Sequence, residues 1–281
     1  MFSDVLLTVD YDRTLTDTNA VVPQRNLEAI RYFIENGGTF TINSGRSVPL
    51  TRCFRDIVPV NAPLLLFNGS AWYDLAGETL ESSSPIDLDP VTTVYELQAK
   101  FPDLTVEIQG LDNHYIFKKN SVWEEYIDYH GCSWAYTTPD QTGPFLKFAV
   151  YSKFASPYPG DMYVVDPQEN ARILEAEAYI RSRWGDKVDA FRPCPRILDV
   201  QCKGVSKLRS ARRLQEKLGK KLLVCVGDAE NDLPMLEGAD YAYCPADGVV
   251  ADRFENVCPC DEGAVADVIY KKIPELLQNR A

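Results

Sequence analysis

The first part of the chain alternates short apolar runs with amphipathic stretches. Val5–Val9 reads VLLTV, a β-branched apolar run that predicts a buried strand. After Pro23, apolar side chains recur at Leu27, Ile30, Phe33 and Ile34, which is one face of a helix. Asn36-Gly37-Gly38 ends that helix, because glycine tolerates a left-handed cap. Thr39–Ile42 predicts a second strand and residues 64–67 a third, with a helix over residues 47–57 that carries Pro49 in its first turn. Strands alternating with helices imply right-handed crossovers and a parallel sheet covered on both faces.

Near residue 81 the texture changes. Residues 81–85 read ESSSP, a linker composition. From there to Asp189 the chain is rich in Tyr, Trp and Phe. It has strand-like pieces at 105–108, 115–118 and Phe145–Tyr151, and helical stretches at Pro90–Lys100 and Pro167–Trp184. Pro193, Cys194 and Pro195 read as a second linker. A helical face then returns with Val205, Leu208, Ala211, Leu214 and Leu218, followed by an apolar strand at Leu222–Val226 and a helical pattern over 264–277. The expected fold class is α/β. Residues 1–83 and 191–281 form a Rossmann-like parallel-sheet core, and residues 84–190 an inserted α+β domain.

Composition narrows the function classes. The chain has 281 residues, 45% hydrophobic and 25% charged, which is ordinary globular usage for one large domain or two smaller ones. Its net charge of −12 argues against a nucleic-acid scaffold or a binder of anionic membranes. No apolar run approaches the ~20 residues of a bilayer span, and the opening MFSDVLLTVDYD lacks the basic and long apolar regions of a secretory signal. A cytoplasmic location is therefore expected, with the eight cysteines as reduced thiols. The expected assembly is a monomer or small homo-oligomer.

Polar residues cluster where three expected strands end. After the first comes Asp10-Tyr11-Asp12-Arg13-Thr14-Leu15-Thr16, after the second Asn43-Ser44-Gly45-Arg46, and after Leu222–Val226 comes Gly227-Asp228-Ala229-Glu230-Asn231-Asp232. An open parallel sheet binds ligands beyond the carboxyl ends of its strands, so these segments are expected to share one crevice. Aspartates gathered there repel one another unless a cation is present. Hard oxygen donors without nearby His or Cys favour Mg²⁺, which commonly shares its remaining positions with a phosphate. Ser44, the Gly45 amide and a lysine are groups suited to the other phosphate oxygens.

These motifs, with Lys207 in Lys-Gly-Val-Ser-Lys, resemble the four ordered motifs of the haloacid dehalogenase superfamily. The insert resembles, by position and size, the C2-type cap of its type IIB, Cof-like branch. The resemblance implies a Mg²⁺-dependent phosphatase acting on a small organic phosphomonoester, such as a sugar phosphate, through an aspartyl-phosphate. It implies Asp10 as nucleophile and Asp12 as general acid and base. Mg²⁺ would be held by Asp10, the backbone carbonyl of Asp12 and Asp228, with Asp232 as a further ligand or as a partner of the ligands. Ser44, Gly45 and Lys207 would bind the phosphoryl oxygens, and Asn231 the phosphate or the metal's surroundings. Two alternatives stay open: a phosphomutase or phosphotransferase of the same superfamily, and a non-catalytic phospho-ligand sensor.

Some positions depart from that pattern. Arg13 stands where glycine is common, Leu208 follows Lys207 where glycine is common, and Lys203 competes with Lys207 for the phosphate. Arg46 reads equally as a substrate contact or a surface charge. Asn68-Gly69 reads as a hairpin turn. His114 and His130 lack a third ligand at metal spacing, and Cys258-Pro259-Cys260 lacks the usual zinc spacing. Lys118, Lys119, Trp134 and Lys147 read first as surface or packing residues, with Lys147 the best substrate contact among them.

Overall fold

The computed structural model describes residues 1–129, 131–136, 144–152 and 164–280. Its strands run in chain order β1 (Val5–Val9), β2 (Thr39–Ile42), β3 (Leu64–Leu66), β4 (Ala71–Asp74), β5 (Thr79–Ser83), β6 (Thr105–Gly110) and β7 (His114–Ile116). They continue with β8 (Trp134–Tyr136), β9 (Phe145–Tyr151), β10 (Val188–Cys194), β11 (Ile197–Cys202), β12 (Leu222–Val226), β13 (Tyr241–Pro245) and β14 (Glu255–Val257). The helices are α1 (Gln24–Glu35), α2 (Pro90–Lys100), α3 (Ser121–Tyr129), α4 (Pro167–Trp184), α5 (Lys207–Lys217), α6 (Leu233–Glu237), α7 (Ala264–Asp267) and α8 (Ile273–Gln278). Two compact units emerge: Met1–Ser44 with Phe54–Glu81 and Ser206–Ala281, and Gly45–Cys53 with Ser82–Val205. The second unit thus includes the end of β10, all of β11 and residues 45–53, which lie outside the expected insert of 84–190.

The first unit is built on a parallel sheet of order β14-β13-β12-β1-β2. Every residue of β1 and β12 is buried, as expected of parallel strands covered on both faces. Leu6, Leu65 and Leu223 pack with Ala211 and Leu214 of α5 and Met235 of α6. A fully buried Leu contributes roughly 1.5–3 kcal/mol. Surface ion pairs such as Lys221–Asp4 contribute about 0–1 kcal/mol, so the apolar layer dominates this unit's stability.

The second unit carries a mixed sheet of order β10-β11-β9-β6-β7-β8. Strand alternation gives it two unlike faces. Val106, Ile108, Phe148, Val150, Leu198 and Val200 pack on α2 and α4. The opposite face places Glu107, Gln109, Lys147, Asp199 and Gln201 together by cross-strand register, and all five are buried. Beside them, Leu50 and the α3 residues Trp123 and Ile127 form an apolar cluster with Ile116, Ala149 and Ile197.

Three expected elements change. Residues 47–57 hold only a tight helical turn at Pro49–Cys53. There the Thr51 hydroxyl donates to the Val48 carbonyl at 2.8 Å and the Cys53 thiol to the Leu50 carbonyl at 3.2 Å, local bonds that compete with a regular helix. The expected linker at Pro193–Pro195 belongs to the β10–β11 hairpin, whose register shifts between Phe191 and Cys194. β10 is the sheet's edge, where a proline's missing N–H costs least. The helical pattern over 264–277 runs as α7 and α8 joined by a wide turn at Val268–Lys272. Among the described residues no helix is long and apolar enough to cross a membrane.

Candidate active site

In the first unit β1 lies between β12 and β2, so the segments leaving these three strands are neighbours. The Asp10 N–H donates to the Val226 carbonyl at 2.9 Å and the Asn43 N–H to the Val9 carbonyl at 2.8 Å. Both bonds extend the strand pairing to the start of each polar segment. Beyond Asp10 the chain turns sharply: Asp12 is extended (φ −73°, ψ 127°) and Arg13 is left-handed (φ 56°, ψ 10°). A non-glycine residue pays roughly 1–2 kcal/mol there. The Arg13 charge acts on Cys260 and Asp261.

Lys207 is the centre of the cluster. Its Nζ donates to Asp10 Oδ1 at 2.6 Å and to Asp232 Oδ1 at 2.7 Å, and its side chain is fully buried. Ser206 caps α5 by accepting the Arg209 N–H, and Asn43 Nδ2 donates to the Lys207 carbonyl at 3.0 Å. Asp232 Oδ2 accepts the N–H groups of Asp228 and Ala229 at 3.0 and 3.2 Å. That close approach requires Gly227, since a Cβ there would lie 2.6 Å from Asp232 Cγ. Thr14 Oγ1 donates to Asp228 Oδ1 at 2.9 Å.

Ser44 is buried, its N–H on the Leu65 carbonyl at 2.8 Å and its carbonyl accepting the Asn68 N–H at 3.0 Å. Asn68 thus sits in a tight turn between β3 and β4, bonded to the Ser44 backbone. Gly45 belongs to the second unit, where its carbonyl accepts Lys147 Nζ at 2.8 Å.

Burial sets the charge states. It pushes the Asp10 carboxyl up to about 7, with Asp232 and Asp12 adding to the rise and Lys207 opposing it. Asp228 is raised well above its ordinary value by burial and by the charges of Asp232 and Asp10. Burial alone would lower the Lys207 amine, but Asp10 and Asp232 hold it above its ordinary value. With all three carboxylates ionised, the cluster would carry more negative charge than Lys207 compensates, which is why Asp10 and Asp228 hold their protons to higher pH. One oxygen from each of Asp10, Asp228 and Asp232 lies within 4.8 Å of the others, and Asn231 Oδ1 is buried without a hydrogen-bond partner among the described residues. This all-oxygen donor set fits a hard divalent cation such as Mg²⁺.

The sequence profile of the haloacid dehalogenase-like hydrolases matches residues 7–251. The chain belongs to that family. It is 21% identical to the phosphoglycolate phosphatase of Thermoplasma volcanium over 225 residues, 76% of this chain and 95% of that one. A haloacid dehalogenase-like hydrolase from Bacteroides thetaiotaomicron has the same fold, with a TM-score of 0.76, 19% identity, and coverage of 95% of this chain and 98% of that one. A sugar phosphatase of subclass IIB of the superfamily superposes with a TM-score of 0.70 at 17% identity, covering 94% and 97%. The parallel-sheet core with its additional sheet-and-helix unit is the fold the motifs suggested.

Within this hydrolase, Asp10, Asp228, Asp232 and Lys207 come together, with the Asp12 charge acting on Asp10. Lys203 instead pairs with Asp189 at 2.7 Å in the second unit. Arg46 Nη1 donates to the Leu50 carbonyl at 3.4 Å. His114 is buried against Ser47 and Glu107, and His130 lies outside the described residues. Cys260 donates to Asp247 at 3.1 Å, and none of the eight cysteines forms a disulfide. Lys118 donates to the Pro102 carbonyl at 2.5 Å and Trp134 Nε1 to Asp128 at 3.0 Å. Sequence reasoning missed Thr14 and Asn43. Both lie inside the strand-end motifs, and the signal was a small hydrogen-bonding side chain within each motif.

Proposed function

We propose that this hydrolase is a Mg²⁺-dependent phosphatase of small organic phosphomonoesters, with sugar phosphates the favoured class. The observation that carries this reading is Lys207, buried and shared between Asp10 and Asp232 beside Asp228. The phosphatases and sugar phosphatase among its relatives support the same choice.

Asp10 is the nucleophile in this reading. Lys207 holds Oδ1, and the other carboxylate oxygen attacks phosphorus. The bond from phosphorus to the alcohol oxygen breaks, and Asp12 gives that oxygen a proton. Asp12 then takes a proton from water, which attacks the aspartyl-phosphate. The bond from Asp10 to phosphorus breaks, and inorganic phosphate leaves with Asp10 restored. Ser44, the Gly45 amide, Lys207 and Asn231 hold phosphoryl oxygens. Asp10, Asp228 and the Asp12 carbonyl would hold Mg²⁺. The three N–H groups on Asp232 suit it to fixing Lys207 and the 228–229 turn. Bound Mg²⁺ supplies positive charge that offsets repulsion between the carboxylates and the phosphate.

The test is phosphate release with Mg²⁺ across a panel of sugar, polyol, nucleotide and glycolytic phosphates. Release should vanish in Asp10→Asn, and retained turnover in that variant would remove Asp10 as nucleophile. Isomerised sugar phosphate in place of free phosphate would favour a mutase.

A further inference from the structure

Lys147 is not a surface charge. Its side chain stands on the buried polar face of β9, 2.9 Å from Asp199 Oδ2 and 2.8 Å from the Gly45 carbonyl. Both charged residues are more than nine-tenths buried. The bond to Gly45 falls on the residue that follows Ser44. A trans peptide is planar and points its N–H opposite to its carbonyl. Lys147 therefore fixes the plane of the Gly45–Arg46 peptide and aims the Arg46 N–H away from itself. The preceding peptide is fixed in the same manner, by Asn68 on the Ser44 carbonyl.

We propose that Lys147, held by Asp199, is a positioning residue that orients the Gly45–Arg46 peptide, and with it the Arg46 N–H, for a phosphate oxygen. This rests on the phosphatase reading and adds a residue to it. Other bonds anchor residues 45–53 within the second unit. Ser47 Oγ and His114 Nε2 lie 2.6 Å apart, and Arg52 Nη1 donates to the Gly131 carbonyl at 3.1 Å. Leu50 is buried in the apolar cluster. Loss of Lys147 should therefore reorient one peptide rather than release the segment.

The alternative is a buried ion pair with only a structural role. Such a pair is often replaceable by neutral residues at no cost to stability, whereas removing one partner is costly. Lys147→Met, the double variant Lys147→Met/Asp199→Asn, and Lys147→Arg separate the two. Inorganic phosphate binding with Mg²⁺ is measured by calorimetry, and turnover with p-nitrophenyl phosphate. The double variant should melt close to wild type yet bind phosphate about tenfold more weakly and lose roughly 10- to 100-fold in kcat/KM, the effect of one charge-assisted hydrogen bond. Lys147→Arg, which keeps a donor, should recover part of the phosphate affinity. A double variant with wild-type melting, phosphate affinity and kcat/KM overturns the proposal. So does a double variant that fails to fold, since the pair would then be structural. Wild-type protein that neither binds nor releases phosphate overturns the phosphatase reading itself, and Asp10→Asn run alongside keeps the two failures apart.

Discussion

Among the described residues two lysines are buried, and each is stabilised differently. Lys207 lies between two carboxylates, so losing it would leave like charges facing each other. Lys147 has one carboxylate and one carbonyl. Near it, Glu107 is also fully buried. Burial alone would raise its carboxyl, but the His114 charge, hydrogen bonds from His114 and Tyr151, and the Lys147 charge hold it below its ordinary 4.5. Trp123 Nε1 and Gln109 Nε2 also donate to it, each at 3.2 Å. A carboxyl lowered in the folded state contributes stability above its unfolded value and loses it as the pH falls through the folded value. Glu107→Gln should therefore cost about 1–3 kcal/mol at pH 7, and that gap should narrow below about pH 4. Urea unfolding at a series of pH values checks this, and a gap constant down to pH 3 would count against an ionised Glu107. The Glu107 and Lys147 roles were not legible in the sequence. Both sit in apolar strand runs, and cross-strand register alone brings them to one face.

At the scale of elements, the strand-end carboxylates were legible because parallel sheets bind ligands at that edge and each motif directly follows an apolar run. Val5–Val9, Thr39–Ile42, Phe145–Tyr151 and Leu222–Val226 form as their patterns predict. The 47–57 helix failed because local side-chain bonds and the packing of Leu50 outweigh its periodicity. The β3–β4 turn depends on backbone approach, which no pattern reports. Phe67, Asn68 and Gly69 all have positive φ, and a Cβ on Gly69 (φ 96°) would lie 2.6 Å from the Ser206 carbonyl oxygen. Ser206 caps the helix that carries Lys207. Gly69→Ala should thus lose ~1–3 kcal/mol of stability and lower kcat as well, because α5 must shift. Urea midpoints and steady-state rates measure both. A variant unchanged in each would mean that the turn yields without moving α5.

The limits of the two units were the least legible feature, since a unit assembled from separate stretches has no composition of its own. Residues 45–53 join the second unit through Lys147, His114 and Leu50, contacts that only the folded chain makes. Net charge was legible, and its consequence is sharpest at the acidic cluster. Ionised together, Asp10, Asp228 and Asp232 set three carboxylates against one buried ammonium, a repulsion that is relieved while Asp10 and Asp228 keep their protons and returns as the pH rises. Saturating Mg²⁺ at about 100 times its Kd should add about 2.7 kcal/mol, a rise in Tm of roughly 5 °C or more for a chain of this size. Asp228→Asn keeps an oxygen for the Thr14 hydroxyl but removes one charge. In EDTA at a pH high enough to ionise Asp228, that variant should melt above wild type, and Mg²⁺ should no longer raise its Tm. Wild-type protein should lose phosphatase activity in EDTA and regain it with Mg²⁺. Recovery with Zn²⁺ alone would overturn the hard-cation assignment, and an Asp228→Asn protein less stable than wild type in EDTA would show that repulsion in the cluster is already relieved without the metal.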